Sequence, residues 1–395
     1  MRIVMTGGGT GGHLYPALAI AEQIKRAEPN SVIVFLGSKD SIESEIVPKN
    51  GYEFRAVPAR WFYRGNGFFS DALEFIKAGC CTFAGIIKSI NLIRKFRPDA
   101  VIGTGGFVSV PVIVAGRICG AKCYIHEQNA YPGIANKLMA GLCEKVFLGF
   151  SGAGKRFRNA EKTVYTGNPV REVFFSLDKE ASREKLKIPK SDFVLFSFGG
   201  SLGSKVLNDI AENYIKHIGR DDNKTILFGT GSRFYDEVRK DFSSYTSGEI
   251  KVECDSSFSF NDNRVRIMSY IDNMADAISS ADLIICRAGA LSLAEITACG
   301  RAAIIVPYPK AADNHQYYNA KVIADGGGGV LCEQENLETE KINSLIDDLA
   351  ADKMKISEME TASGKLGVKD AGRRIVEEIM GSLNDKVGKG KTSGK

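Results

Sequence analysis

Three stretches of the chain place glycines where a strand should turn sharply into a helix: Gly7-Gly8-Gly9-Thr10-Gly11-Gly12, Gly103-Thr104-Gly105-Gly106 and Gly199-Gly200-Ser201-Leu202-Gly203. At such a turn backbone N–H groups and the positive end of the helix dipole converge on one point, and a missing Cβ lets an anion approach the main chain. One such loop serves strand–helix packing as readily as ligand binding. Three in one chain favour a diphosphate ligand, or two. The first is not a P-loop, because His13 stands where Lys is needed and no Gly-Lys-Ser/Thr closes it. Its Gly7-x-Gly9-x-x-Gly12 spacing matches the dinucleotide fingerprint. The next strand, however, ends in Phe35-Leu36-Gly37-Ser38-Lys39 without the acid that holds a ribose, and Asp40 comes late, which disfavours a nicotinamide cofactor.

The chain has four histidines: His13, His126, His217 and His315. His13 follows the first glycine loop directly, beside the expected anion, where it suits a general base, a phosphate donor or a helix cap. Glu127, within His126-Glu127-Gln128-Asn129, is the competing base, or a carboxylate that is only solvated or paired. His217 reads as surface. Farther on, Arg287-Ala288-Gly289 leads from a strand into a helix carrying Glu295. The amides there suit a sugar or phosphate, and Glu295 can accept two hydrogen bonds from ribose hydroxyls. The competing role for Glu295 is to complement the helix dipole.

The elements that must position these residues are short apolar runs alternating with segments of helical period, which argues for α/β folding with parallel sheets. The first series has strand candidates at residues 2–5, 32–36, 54–57, 100–102, 123–126, 146–149 and 164–166. Its helices include residues 16–27, with Pro16 in the first turn, and a long one over 71–96. A second series has strands at 194–198, 225–228, 265–269, 283–286, 303–306 and 330–332. Both series open with a strand running into a glycine turn. The expected division is 1–168 and 169–370, then a helix over 371–385 and a disordered basic tail over 386–395. The polar stretch 243–263 reads as an enlarged surface loop.

At 395 residues, 44% apolar and 25% charged, the chain can bury two ordinary cores. The balance of 52 Lys and Arg against 47 Asp and Glu does not argue for nucleic acid. Nine scattered cysteines form no Cys-x-x-Cys pair, so reduced thiols are expected and a zinc site is not. The N-terminus lacks the order of a signal peptide. The uncharged, apolar stretch 100–116 is shorter than the ~18 residues of a spanning helix and is broken by Gly105, Gly106 and Pro111, so a chain that is not membrane-spanning is expected.

Taken in order, several segments resemble the MurG family of GT-B glycosyltransferases. These are Gly8-Gly9-Thr10-Gly11-Gly12-His13 with Pro16-Ala17-Leu18-Ala19; Gly105-Gly106-Phe107-Val108-Ser109 with Pro111; and His126-Glu127-Gln128-Asn129. They continue through Gly167-Asn168-Pro169-Val170-Arg171, Gly199-Gly200-Ser201-Leu202-Gly203-Ser204, the stretch from Arg287 to Glu295, and Asp313-Asn314-His315-Gln316-Tyr317-Tyr318-Asn319-Ala320. The resemblance implies two Rossmann-like domains facing across a cleft, the first for a lipid acceptor and the second for UDP-GlcNAc. By matched positions it implies donor contacts at Thr10, Gly11, Gly12, Asn129, Arg171, Ser201, Ile271, Ala290, Leu291, Ser292, Leu293, Ala294, Glu295 and Gln316. Acceptor contacts are implied at Gly105, Gly106, Phe107 and His126. Phe107 stands where the family often has Tyr, and Ala288 where Ser is frequent.

The implied reaction is an inverting displacement, in which the muramyl C4 hydroxyl of lipid I attacks the anomeric carbon of UDP-GlcNAc, with His13 or Glu127 as base. Helix N-termini and Arg171 would carry the diphosphate charge, so no cofactor and no obligatory metal are expected. The acceptor's prenyl tail stays in the bilayer, which implies a peripheral enzyme on the cytoplasmic face. Residues 75–88, with Trp61, Phe62, Phe68 and Phe69 before them and Arg94, Lys95 and Arg97 after, offer an apolar patch ringed by positive charge for an anionic phospholipid surface. A UDP-GlcNAc 2-epimerase or a diacylglycerol sugar transferase of the same fold is the alternative.

Overall fold

The computed structural model describes residues 1–60, 68–200, 202–221, 223–246 and 249–389. The chain divides into two compact units, Met1–Val170 with Asp370–Lys395, and Arg171–Lys369. Each contains a Rossmann-like sheet covered by helices, which is the α/β class expected.

In the first unit, strands β1 (Arg2–Thr6), β2 (Val32–Gly37), β3 (Glu53–Ala56), β4 (Ala100–Gly103), β5 (Lys122–Glu127), β6 (Lys145–Leu148) and β7 (Thr163–Tyr165) lie parallel in the order β3-β2-β1-β4-β5-β6-β7. Successive side chains of a strand point to opposite faces, and here both faces are covered. Val4, Val34, Val101 and Ile125 pack on one side with Ile93 and Val112. Ile3, Met5, Phe35, Ile102 and Phe147 pack on the other with Leu14 and Ile20. The second core is completed by Ile375, Val376 and Ile379 from the C-terminal helix Ala371–Lys389. Tyr124 Oη donates to Ser382 Oγ at 2.8 Å, and Lys145 pairs with Glu378.

The second unit contains β8 (Phe193–Phe198), β9 (Lys224–Gly229), β10 (Lys251–Cys254), β11 (Ser257–Phe260), β12 (Val265–Met268), β13 (Leu283–Cys286), β14 (Ala302–Ile305) and β15 (Gly329–Leu331). Their order is β10-β11-β12-β9-β8-β13-β14-β15. In each sheet the strand order reverses beside the first strand, between β1 and β4 and between β8 and β13. Crevices open at such switch points, beyond the carboxyl ends of the strands. The turns after these four strands are therefore the ones that can share a ligand within each unit.

Three local expectations change. The stretch 243–263 is not a loop: β10 and β11 form an antiparallel hairpin that extends the sheet through β12. Phe258 and Phe260 drive this by burying against the core that holds Phe242 and Tyr235. The first helix runs Gly11–Ala27, so Pro16 lies beyond its first turn, and the Gly12 carbonyl lacks its usual helical donor. The C-terminal helix continues to Lys389, into the stretch whose composition reads as disordered.

The helix Phe68–Phe96 turns Ala78, Gly85, Ser89, Ile93 and Phe96 inward. Gly85 is required there, since a Cβ would meet the Pro58 carbonyl oxygen at 2.2 Å. Ile76, Phe83 and Ile87 are exposed on the opposite side, and Phe75 is exposed one turn before Ala78. By length and composition Glu74–Phe96 is long and apolar enough to cross a membrane, a feature that the uncharged-stretch criterion misses because Lys77 and Lys88 interrupt it. Trp61, Phe62 and the side chains of Phe68 and Phe69 lie outside the described residues.

Candidate active site

At the first switch point, the turn after β1 lies beside the turn after β4, and the His13 ring rests against the second of these. Gly105 has φ +101°, and a Cβ there would meet His13 Nδ1 at 2.8 Å, so only glycine leaves room for the imidazole. Nδ1 is 3.1 Å from the Thr104 carbonyl oxygen and 3.2 Å from Gln128 Oε1. Nε2 has no hydrogen-bond partner among the described residues, and the ring is partly exposed. Thr104 Oγ1 donates to the His13 carbonyl oxygen at 2.6 Å, which holds the helix start to the β4 turn.

The other candidate base is turned inward. Glu127 is 1% exposed. Its Oε1 accepts from Asn129 N (2.9 Å) and Nδ2 (3.1 Å), and its Oε2 from Gly133 N (3.0 Å) and Asn136 Nδ2 (2.8 Å). A carboxylate offers about four lone-pair positions. All four are used by Asn129, Gly133 and Asn136, so none is left for a substrate hydroxyl. His126 is wholly buried; its Nε2 lies 3.1 Å from the Gly167 carbonyl oxygen and its Nδ1 3.0 Å from Gln128 Nε2. That burial pushes its pKa down to about 4 against a weaker upward pull from the Gly167 bond. Neither residue presents an atom to a ligand in this conformation, unlike the base and acceptor contact expected of them.

The first glycine loop is partly filled from within. Gly9 N donates to Glu43 Oε2 at 3.1 Å and Ser38 N to Glu43 Oε1 at 3.0 Å. The anion position that stays open is the helix start, where Gly11 and Gly12 have no intrahelical acceptor and Thr10 makes no side-chain cap. Phe107 packs its ring under Gly9. Glu43 carries no motif that would single it out, and Gln128 was visible only as part of its motif.

At the second switch point Gly203 has φ +76° and approaches the Thr230 carbonyl so closely that a Cβ would stand 2.1 Å from its oxygen. Arg287 ties the surrounding turns together, donating to Ser204 Oγ (3.1 Å), to the Val306 and Pro307 carbonyls (3.2 and 3.1 Å) and to Gln334 Oε1 (2.8 Å). Gly289 then opens the helix Ala290–Ala298, whose first amides at Ala290, Leu291 and Ser292 have no helical acceptor. Leu293 is buried, whereas Ala294 and Glu295 are partly exposed.

The Glu295 carboxyl has no hydrogen-bond partner among the described residues. Burial pushes its carboxyl up to about 7, with Arg171 pulling the other way. A partly buried, unpartnered carboxyl beside a helix N-terminus is a functional-site signature. Gln316 Oε1 accepts from Tyr308 N at 2.9 Å, which directs its amide nitrogen outward. Ile271 is 9% exposed and packs over Gly229 at the end of β9. Ser201 lies outside the described residues. Among those described, no group of three or more His, Cys, Asp or Glu is placed to hold a metal ion.

Residues 3–148 match the glycosyltransferase family 28 N-terminal domain, and residues 194–375 match the glycosyltransferase family 28 C-terminal domain. The UDP-N-acetylglucosamine–N-acetylmuramyl-(pentapeptide) pyrophosphoryl-undecaprenol N-acetylglucosamine transferase of Clostridioides difficile is 37% identical over 386 residues, covering 97% of this chain and 90% of that protein. The crystal structure of Acinetobacter baumannii MurG superposes with a TM-score of 0.71 at 25% identity, covering 96% of this chain and 99% of that one.

The chain belongs to the MurG family.

A UDP-GlcNAc 2-epimerase from Neisseria meningitidis, solved with UDP-GlcNAc, reaches a TM-score of 0.65 at 13% identity over 96% of this chain and 100% of that one; this likeness is one of fold alone. Within the MurG family pattern, the two departures in this chain have local accounts. Phe107 contributes a ring against Gly9 and no hydroxyl. Ala288 is fully buried, with its carbonyl accepting from Asn319 Nδ2 at 3.1 Å.

Proposed function

We propose that the protein is an inverting transferase that moves N-acetylglucosamine from UDP-GlcNAc to the C4 hydroxyl of the muramyl sugar of lipid I, forming lipid II. The observation that carries this reading is the bare Nε2 of His13 beside two glycine turns, in a chain related over its full length to transferases named for that reaction. A sugar hydroxyl is a poor nucleophile near neutral pH, and a positioned base contributes roughly 10²–10⁴-fold. His13 Nε2 takes the hydroxyl proton as the oxygen attacks the anomeric carbon, and UDP leaves with the bonding pair.

On the donor side, the amides of Ala290, Leu291 and Ser292 together with Arg171 offset the charge growing on the diphosphate. Glu295 accepts from the ribose hydroxyls. Gln316 and Asn129 read hydroxyls of the transferred sugar, and Thr10, Gly11, Gly12, Ser201, Ile271, Leu293 and Ala294 complete the donor contacts. Gly105, Gly106 and Phe107 contact the acceptor. Since the protein's own groups supply the positive charge, activity should survive EDTA.

The exposed Phe75, Ile76, Phe83 and Ile87, with Lys77, Lys88, Arg94 and Lys95 on the same helix, support a peripheral position on the cytoplasmic face of an anionic membrane. Flotation with anionic vesicles, but not neutral ones, is the expected result. The reaction itself is tested with radiolabelled UDP-GlcNAc and a short-chain lipid I analogue. Transfer of label to lipid supports the reading, and conversion of the sugar without acceptor indicates the epimerase instead.

A further inference from the structure

We propose that Gln128 is a positioning residue that sets the tautomer of His13, so that the imidazole presents an unprotonated Nε2 to the acceptor hydroxyl. This rests on the reading of His13 as the base. A chain of hydrogen bonds runs through the interior of the first unit.

The chain starts at His126, the deepest of the three side chains. Its Nε2 faces the Gly167 carbonyl oxygen, which can only accept, so Nε2 carries the hydrogen. Burial keeps the ring neutral, which leaves Nδ1 with a lone pair. Gln128 Nε2 stands 3.0 Å from that lone pair, 2.8 Å from the Thr104 carbonyl oxygen and 3.1 Å from the His126 carbonyl oxygen. All three are acceptors. The amide nitrogen of Gln128 therefore belongs on this side, because the flipped amide would press an oxygen against three lone pairs. Gln128 is 2% exposed, and its own carbonyl oxygen accepts from Asn168 Nδ2 at 3.0 Å, so the backbone is held as well.

With the amide fixed, Oε1 faces His13. Nδ1 of His13 then meets two acceptors, Gln128 Oε1 at 3.2 Å and the Thr104 carbonyl at 3.1 Å, and no donor. A neutral imidazole has one N–H, and here it must lie on Nδ1, leaving the lone pair on Nε2. When Nε2 takes the proton of the acceptor hydroxyl, Nδ1 keeps its hydrogen and two carbonyl dipoles share the positive charge. The new carbon–oxygen bond forms while the bond to the diphosphate breaks. An orienting partner that fixes the tautomer of a catalytic histidine is a general device; in this chain the partner is a neutral amide, itself oriented by a second, buried histidine.

The test uses the full-length protein labelled with ¹⁵N-histidine, whose four histidines are few enough to resolve by long-range ¹H–¹⁵N correlation above neutral pH. The expected result is the Nδ1–H tautomer for His13 and the Nε2–H tautomer for His126. An Nε2–H tautomer at His13 overturns the proposal without requiring any variant. In Gln128→Leu, His13 should gain Nε2–H character and kcat should fall about tenfold or more, while KM for UDP-GlcNAc changes less than about twofold; an unchanged tautomer together with unchanged kcat overturns it. The underlying reading fails separately: a fully active His13→Ala removes His13 as base, whatever its tautomer.

Discussion

The Glu43 carboxylate accepts the backbone N–H of Gly9 at 3.1 Å, closing the first glycine loop from beneath. Its other oxygen holds Ser38 N, so one side chain ties the turn after β1 to the turn after β2. Two glycines make room for it: a Cβ at Gly8 would meet the carboxyl carbon at 2.3 Å and one at Gly37 would meet Cγ at 2.6 Å.

Glu43→Gln keeps the shape but sets an NH₂ group against one of these two N–H donors. A buried donor left unsatisfied costs roughly 1–3 kcal/mol. The expected outcome is a lower urea midpoint with unchanged m value, and a raised KM for UDP-GlcNAc because the loop that carries Thr10, Gly11 and Gly12 is less well held. Wild-type values for both would show that the contact is incidental.

His13 and Glu127 should separate by the kind of loss they cause. His13→Ala is expected to lower kcat by roughly 10²–10⁴-fold with little change in thermal midpoint. Glu127→Ala removes the acceptor of four N–H bonds from Asn129, Gly133 and Asn136, and each buried donor left unsatisfied costs about 1–3 kcal/mol. That variant should lose stability first and activity as a consequence. A stable, inactive Glu127→Ala alongside an active His13→Ala would reverse the assignment.

Glu295 makes donor binding depend on pH. Ribose hydroxyls donate to the charged carboxylate, and burial holds that carboxyl at about 7 in the free protein. As pH falls through 7 the group protonates and loses acceptor capacity, so the Kd for UDP should rise; as pH climbs above 7 it should level off. Binding of UDP therefore releases a proton near neutrality. Calorimetry in buffers of different ionisation enthalpy checks this, with Glu295→Gln expected to bind more weakly and to show a flat profile.

His126 makes stability depend on pH in the opposite sense to a histidine whose pKa is raised by a carboxylate partner. Its folded-state pKa is about 4 against an ordinary 6.5, so the unfolded chain binds the proton more readily. Stability is whole above about pH 6.5 and is lost as pH falls toward about 4, by up to roughly 3 kcal/mol. Urea midpoints across that window should decline more steeply in the wild type than in His126→Asn. Equal slopes would show that His126 is not the group responsible.

The legible features were those whose cause lies within a few neighbouring residues. Apolar runs alternating with helical segments specify strands and helices, a glycine at a strand end specifies the turn, and His13 is placed beside its loop by adjacency in the chain. The α/β class and both switch-point turns follow from that. The Ser257-Phe258-Ser259-Phe260 alternation also carried a strand signal, masked by the polar residues around it; what makes it a strand is the partner β12 and a core able to take two phenylalanines.

Contacts between residues far apart in sequence were decided only by the tertiary structure. Glu43 reaches Gly9 across 34 positions, and Gln128 reaches His13 across 115. The inward turn of His126 and Glu127 depends on donors and acceptors that converge only once β4, β5 and the Gly167 turn are in place. The amino-acid types state which groups can give or take a proton. Which lone pair remains open is settled by the neighbours that folding supplies, because burial makes every unpaired donor or acceptor costly and so selects a single arrangement.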